Sequence, residues 1–414
     1  MYHAHFRGTH YEAGFRWGSL LLKHKNIILE HIPFEITGER MAYGAACVPV
    51  YERHYPEILE EIQGLADGQQ CDVRILQAVL FSMYAMPPVC NCSCFAAATE
   101  EEILFGRNSD FLTELEKLNL NVIYRLTDGA YSFTGNTTAF VEMEDGVNEH
   151  GLAVGLTSVY PIGRKPGLNA GMLLRYFLEK CKTVAEVVSC IGELPVASAQ
   201  TFTLADAAGD IAVIECNSER TEIAGRMPET GDAEKGKEVK RNAAKRFVCA
   251  TNIFHLPDMV RYNRPAMACS DRTKEEGSHR PEIGAYRCSE LVYADRTEEE
   301  GSSRPEIGDR RSSKPERHNC QEAQRHGHGE PDDWFAERRY QTLVKALSRK
   351  ENDITLPFAK ELLSGKHGFL CQYDRNTGKD TVWSVVYDLK RHRIYRSEGN
   401  PGRCRCKEDG RFPF

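Results

Sequence analysis

No run of about 18 apolar residues occurs in the chain, so no stretch of it is long enough to span a bilayer as a helix. An excess of positive charge is missing as well. The formal charge of −7 and pI near 6.1 argue against nucleic acid as a partner. The opening MYHAHFRGTHYEAGFRWG has neither a basic segment followed by an apolar core nor a small-residue cleavage site, so no secretory signal is visible. Cysteine is not scarce, but its 15 copies are odd in number and scattered, without the spacing of a disulfide framework; they read as reduced thiols in a soluble, cytoplasmic protein. Cys404 and Cys406 read as part of a solvated tail.

Apolar residues also nearly vanish between residues 270 and 333. There Asp271–Gly284 (DRTKEEGSHRPEIG) recurs as Asp295–Gly308 (DRTEEEGSSRPEIG), too few copies for a solenoid and too polar to offset the entropy of ordering. This segment is expected to be a disordered surface insertion. His318, His326 and His328 fall in it with only Cys320 nearby, and no metal or cofactor is expected.

What is present starts with helices. Thr9 and Glu12 form a capping box for a helix to about Glu30, Pro56 opens a second that ends at Gly68, and a third follows Asp72 until Pro87 and Pro88. Residues up to about 88 are thus expected to be helical. Strands are expected at Asn121–Leu126, Tyr131–Thr134, Thr138–Met143 and Gly151–Ser158, with Asp145-Gly146 a turn. Two helices follow, the second capped by Thr183 and Glu186. Then come strands at Gln200–Ala205, Ile211–Cys216 and, after a charged loop, Arg246–Thr251. A helix after Trp334 and a hairpin of Asp380–Asp388 with Arg393–Ser397, holding Trp383 and Tyr387, close the chain. Helices, strands, a helix pair and strands again suggest two packed sheets flanked by helices.

The stretch that organises this order is CNCSCFAAATEEEILFGRNSDF, Cys90–Phe111. A short apolar strand from Cys92 turns through Thr99–Glu102 and returns from Ile103, which brings Arg107 and Asp110 beside Cys92. A cysteine whose nitrogen is freed by chain cleavage carries nucleophile and base together, since an α-amine titrates near pH ~7.7–8.0. Arg107 would favour the thiolate by charge, and Asp110 would orient the new ammonium. Cys90, Cys92 and Cys94 alternate along the strand, so the lesser alternatives are that they pack as small hydrophobes or bind metal in a non-catalytic thiol protein.

The pattern resembles the thiol branch of the N-terminal nucleophile hydrolases: choloylglycine hydrolases, acid ceramidase and, nearest, the acyl-coenzyme A:6-aminopenicillanic acid acyltransferase family. The residues that carry it are Cys92, Ser93, Phe95, Gly106, Arg107, Asn108, Asp110 and Phe111, with Gly8, Thr9, Tyr11, Glu12, Gly14 and Gly18 near the start. The resemblance implies an α+β, four-layer αββα sandwich forming a single domain over 1–414, with 1–91 as propeptide or α chain and 92–414 as the catalytic part. It implies a cysteine amidase or acyltransferase cut at Asn91-Cys92, acting on a small N-acyl amide or acyl thioester. An acyl-coenzyme A-dependent N-acyltransferase is the alternative. Asn252, in FVCATNIF, takes the place of an oxyanion-hole asparagine; an Asn there could also be an ordinary strand-end turn residue. Thr157 and Ser158 would line the substrate site, or simply end a buried strand. Arg339, favoured over Arg338 because the family reads R-Y there, would contact the site. Self-association is left open.

Overall fold

The computed structural model describes residues 1–87, 91–227, 238–263, 334–350 and 353–414. Cys90 and the repeat-bearing segment 270–333 lie outside the described residues.

Strand β1 (Tyr2–Gly8) precedes helix α1 (His10–Lys23). The capping box at α1 is present in both directions, with Glu12 N–H on the Thr9 hydroxyl at 3.2 Å and Thr9 N–H on the Glu12 carboxylate at 2.9 Å. The helix stops well before Glu30. Lys25 adopts a left-handed conformation (φ 57) and Asn26 N–H returns to the Leu21 carbonyl, a closure that ends a helix whatever apolar residues follow.

Next come α2 (Gly38–His54), α3 (Pro56–Gln69) and α4 (Val73–Ser82). Helix α2 lies in the segment expected to be helical but is not singled out there; it holds Gly44 and Pro49, both poor helix formers. Helices α1 and α3 touch backbone to backbone. A Cβ added at Gly14 would lie 2.0 Å from the Glu61 carbonyl oxygen, and one at Gly64 would lie 2.1 Å from that of Tyr11.

Two sheets follow. Strands β2 (Asn91–Ala98), β3 (Ile103–Leu112), β12 (Phe247–Ala250), β13 (Lys379–Asp388), β14 (Arg393–Ser397) and β15 (Lys407–Glu408) form a six-stranded sheet in the order β12-β2-β3-β13-β14-β15. The nine-stranded sheet runs β1-β4-β5-β6-β7-β8-β9-β10-β11. Its strands after β1 are β4 (Leu120–Leu126), β5 (Phe133–Thr137), β6 (Asp145–Asn148), β7 (Ala153–Ser158), β8 (Gln200–Ala205), β9 (Ile211–Cys216), β10 (Thr221–Arg226) and β11 (Glu238–Arg241).

Several expectations are corrected here. The first segment is not all helical, because β1 pairs in parallel with β4 from Tyr2↔Leu120 to Gly8↔Leu126. Only Phe6 of β1 is fully buried, so its sequence shows little strand signal. Thr138–Met143 is no strand, since the chain bends through Phe140 (φ 58), and Asp145-Gly146 opens β6 instead of making a turn. The charged region after Cys216 supplies β10 and β11. The tail carrying Cys404 and Cys406 folds back so that β15 pairs with β14.

Three sets of apolar contacts stack the layers. Phe105, Ile123, Val147, Val213, Val385 and Tyr387 fill the space between the sheets. Helices α1–α4, with α5 (Ala170–Lys180) and α6 (Val184–Cys190), bury Leu65, Phe81, Leu173 and Phe177 against the outer face of the nine-stranded sheet, where Tyr124 and Phe202 lie. On the other side α7 (Ala336–Arg349) and α8 (Leu356–Leu363) pack Leu343, Leu347 and Leu362 on Phe95, Leu104 and Val386. The result is an α+β sandwich of helix, sheet, sheet and helix layers. Among the described residues no helix is long and apolar enough to cross a membrane.

Candidate active site

The hairpin β2–β3 pairs Asn91 with Asp110, Cys92 with Ser109 and Cys94 with Arg107. Alternation sends Cys92 and Cys94 to the face between the sheets, and Ser93 and Phe95 toward α7 and α8. Arg107 therefore shares a face with both thiols, one step diagonal from Cys92. Its Nη2 donates to Cys92 Sγ at 2.7 Å. The rest of the guanidinium is held by Asp145 (Nη1–Oδ2 2.9 Å), Glu144 (Nη2–Oε2 3.2 Å) and the Leu156 carbonyl (Nε–O 3.2 Å). Burial works against this charge, but Cys92, Asp145 and Glu144 outweigh it and keep Arg107 firmly protonated.

The two described thiols of the strand differ. Burial pushes Cys94 well above the usual thiol range, more than Arg107 can offset, and its sulfur lies 3.8 Å from the Leu156 carbonyl. Cys92 has the short guanidinium hydrogen bond, at 2.7 Å. Among the described residues no group of three or more His, Cys, Asp or Glu side chains could hold a metal ion.

The Cys92 backbone N–H donates to Asn252 Oδ1 at 2.9 Å. That oxygen also accepts from Arg339 Nη2 at 2.8 Å, while Asn252 Nδ2 donates to the Ser158 carbonyl at 2.8 Å. The amide thus turns its oxygen to the nucleophile's nitrogen and its nitrogen to β7. Arg339, buried at the start of α7, also donates to the Cys92 carbonyl at 2.5 Å and to Ser93 Oγ at 2.8 Å. Arg338 points elsewhere, over the Phe369 ring at 4.7 Å.

Asp110 accepts from Thr381 Oγ1 at 2.6 Å and Tyr373 OH at 3.2 Å, with Arg339 Nη1 at 3.4 Å. Burial pushes its carboxyl up to about 6 despite these donors. In the intact chain it is Asn252 that holds the Cys92 nitrogen, and Asp110 buttresses Arg339. Thr157, also buried, gives its hydroxyl to the Thr251 carbonyl at 2.6 Å and meets the Thr201 hydroxyl, so it fixes the strand end that carries Asn252.

Sequence reasoning missed the carboxylates behind Arg107. Asp145 accepts from Arg107, Trp383 Nε1 (2.9 Å), Tyr387 OH (2.8 Å) and Asn136 Nδ2 (2.5 Å). Glu144 accepts from Ser109 Oγ (3.2 Å), Thr138 N–H (3.0 Å) and Thr138 Oγ1 (2.6 Å). A cluster of acids beside apolar residues, EMED at Glu142–Asp145, was the available signal.

Fold and site define an αββα sandwich with a thiol and a buried arginine at one end of its inner hairpin. Residues 97–403 match the family model described as acyl-coenzyme A:6-aminopenicillanic acid acyl-transferase, and the chain belongs to that family. The matched span holds Arg107, Asp110, Asn252 and Arg339 and begins just after Cys92. Similar solved structures include the N-acylethanolamine-hydrolyzing acid amidase ortholog of Caenorhabditis elegans, at 15% identity and TM-score 0.40 over 72% of this chain and 93% of that one. Penicillin V acylase from Agrobacterium tumefaciens is similar at 15% identity and TM-score 0.40, over 74% of this chain and 82% of its own. A mutant conjugated bile acid hydrolase from Clostridium perfringens aligns at 13% identity and TM-score 0.41, over 78% and 97%. No curated protein matches the chain.

Proposed function

We propose that the chain is a cysteine-dependent amidase or acyltransferase whose nucleophile is Cys92, freed at its nitrogen by cleavage of the Asn91–Cys92 bond. The observation that carries this reading is the Cys92 sulfur on the Arg107 guanidinium at 2.7 Å, with the same residue's N–H on Asn252. After cleavage the α-amine takes the thiol proton, and the sulfur adds to the carbonyl carbon of an N-acyl amide or acyl thioester. The C–N or C–S bond then breaks, with the amine leaving group protonated by the α-ammonium. Water or an amine takes the acyl group from the Cys92 thioester.

Asn252 positions the α-amine through its amide oxygen. For its N–H to serve the oxyanion, the amide must turn away from Ser158. Arg339, itself braced by Asp110, fixes the Cys92 carbonyl. Hydrolysis needs no second binding site, so small N-acyl amides are mainly hydrolysed, with transfer to added amines as a side reaction. The family name favours transfer. Product partitioning separates the two: a free-acid yield that falls toward zero with rising amine, at unchanged acyl turnover, makes the protein a transferase.

Intact mass of the purified protein, with and without a thiol-alkylating probe, tests the core of the reading. Two fragments meeting at Asn91/Cys92, one alkylated at Cys92 with loss of turnover, are expected. An active protein that runs as one intact chain would remove the α-amine as base.

A further inference from the structure

A cavity of about 550 Å³, within the range of ligand pockets (~300–1,000 Å³), has Phe111 and Thr138 in its wall, the first next to Asp110 in sequence and the second bonded to Glu144. It sits between α1, the segment after it, β1, the start of β4 and the turn after β5. We propose that this cavity receives the tail of the acyl group, so that the substrate carries a long, uncharged acyl chain; the proposal rests on the acyl chemistry assigned to Cys92.

Five observations carry it. No Asp, Glu, Lys or Arg lines the cavity; its groups that ionise near neutral pH are His3, His24 and His31, and Trp17, Leu21, Ile28, Phe111 and Leu118 make the wall mainly apolar, suited to a chain without a charged end. Its Thr138 wall is tied to the thiol: Thr138 donates to Glu144 through its N–H and hydroxyl, and Glu144 shares Arg107 Nη2 with Cys92 Sγ. Phe111, directly after Asp110, closes another side. Two aromatic residues of the wall, Tyr84 and Phe140, each hold a left-handed backbone at φ 58, a conformation bulky residues keep only where surrounding packing imposes it. At the mouth Tyr2 is 61% and Leu20 48% exposed, which gives a chain an apolar entry from solvent.

Most of the wall comes from residues that precede Asn91. The N-terminal segment therefore acts as half of the acyl pocket and stays bound after any cleavage.

The test uses the full chain. Measure kcat/KM for a series of N-acyl p-nitroanilides from acetyl to dodecanoyl, for the wild type, for Ala139→Trp, which fills the cavity, and for Leu20→Trp, which narrows its half-exposed mouth. Separately, titrate laurate into Cys92→Ala protein with and without Ala139→Trp by calorimetry. In the wild type kcat/KM is expected to rise with chain length. Ala139→Trp should then lose about 10-fold or more on dodecanoyl with the acetyl substrate within about 2-fold, and should abolish laurate binding. If Ala139→Trp does not fold, the same length-selective loss in Leu20→Trp carries the test. Chain-length independence in the wild type, or equal losses on acetyl and dodecanoyl, overturns the proposal while leaving the Cys92 chemistry standing. If no acyl substrate turns over, that chemistry fails; laurate binding abolished by filling the cavity still supports the pocket, and no laurate binding at all sinks it.

Discussion

Two buried arginines, each held by two carboxylates, sit in different layers of this molecule. Arg175 on α5 donates to Glu179 (Nε, 2.7 Å), to Glu61 of α3 (Nη2, 2.5 Å; Nη1, 3.2 Å) and to the Val141 carbonyl (2.8 Å), with its charge 4.0 Å over the Tyr124 ring. Glu179 also accepts from Tyr55 and from His10 of α1 at 3.1 Å, so this cluster ties three helices to the sheet through oxygen acceptors alone. Arg107 is equally buried and equally paired, yet one of its donors goes to a sulfur. A guanidinium closed on all sides by oxygen holds a structure together. One with a thiol in its ring of acceptors has a partner that can react.

Replacing Cys92 by Ala is the sharpest way to break this contrast. Turnover and self-cleavage should fall by at least ~10⁴-fold while thermal stability hardly moves, because a small buried side chain is exchanged for another. Ser at Cys94 should cost only packing. Equal loss of activity at both positions, restored by a metal, would make the strand a binding site and not a nucleophile.

The opposite pattern is expected at Arg175→Met. Glu61 would be left buried and uncompensated and Glu179 with His10 as its one cation, and urea unfolding should show a loss of about 3–5 kcal/mol. The protein that remains folded should keep kcat/KM within about 2-fold. An activity loss much larger than the folded fraction explains would mean that the two clusters are coupled.

Asp145→Asn comes next in size. It leaves Trp383 and Tyr387 with an acceptor but weakens the charged grip on Arg107, by roughly 1.5–3 kcal/mol if it behaves as other hydrogen bonds to charged groups do. A fall of about 10- to 100-fold in kcat/KM with little change in KM is the expected reading. A pure KM effect would place Asp145 in substrate binding instead.

The smallest effects are in pH dependence. Burial raises Asp110 from 3.8 to about 6, so the folded form binds the extra proton and stability falls as pH rises from about 4 to 6. His10 is raised from 6.5 to about 9: burial alone would lower it, but Glu179 outweighs that. Its contribution is full below about 6.5 and is lost as pH rises through about 9. Each slope is at most about 1.4 kcal/mol per pH unit, one proton's worth. Asp110→Asn should flatten the lower window alone and His10→Gln the upper one alone, in denaturant melts across pH.

The sequence makes one of these two arginines legible and not the other. Cys92, Arg107 and Asp110 lie on one hairpin, so local pairing alone brings them near each other, and the family-like spelling of that hairpin points to the αββα layers. Arg175 and Glu179 are an i,i+4 pair on α5, a spacing that shows in the sequence, but Glu61 and His10 come from two other helices and no local spacing links them to it. The same reason hides Glu144, Asp145, Trp383, Tyr373 and Thr381 at the reactive end. They reach Arg107 and Asp110 only once the sheets have stacked. Asn252 and Arg339 were found by resemblance to motifs, but which way the Asn252 amide faces is decided by three neighbours from β2, β7 and α7. Strand β1 failed to show for a related reason, since its hydrogen-bond partner lies more than a hundred residues away and only Phe6 among its side chains is buried.

That strand also decides what the rest of the sheet presents to its surroundings. With β1 in place the long β4 edge is paired along its whole length, from Leu120 to Leu126. A chain lacking its first eight residues would bare a run of unsatisfied N–H and C=O groups on a hydrophobic strand, the template on which other strands add. Such a truncated protein should be lost to aggregation before any defect in catalysis could be seen, so the opening residues serve as the molecule's guard against its own kind.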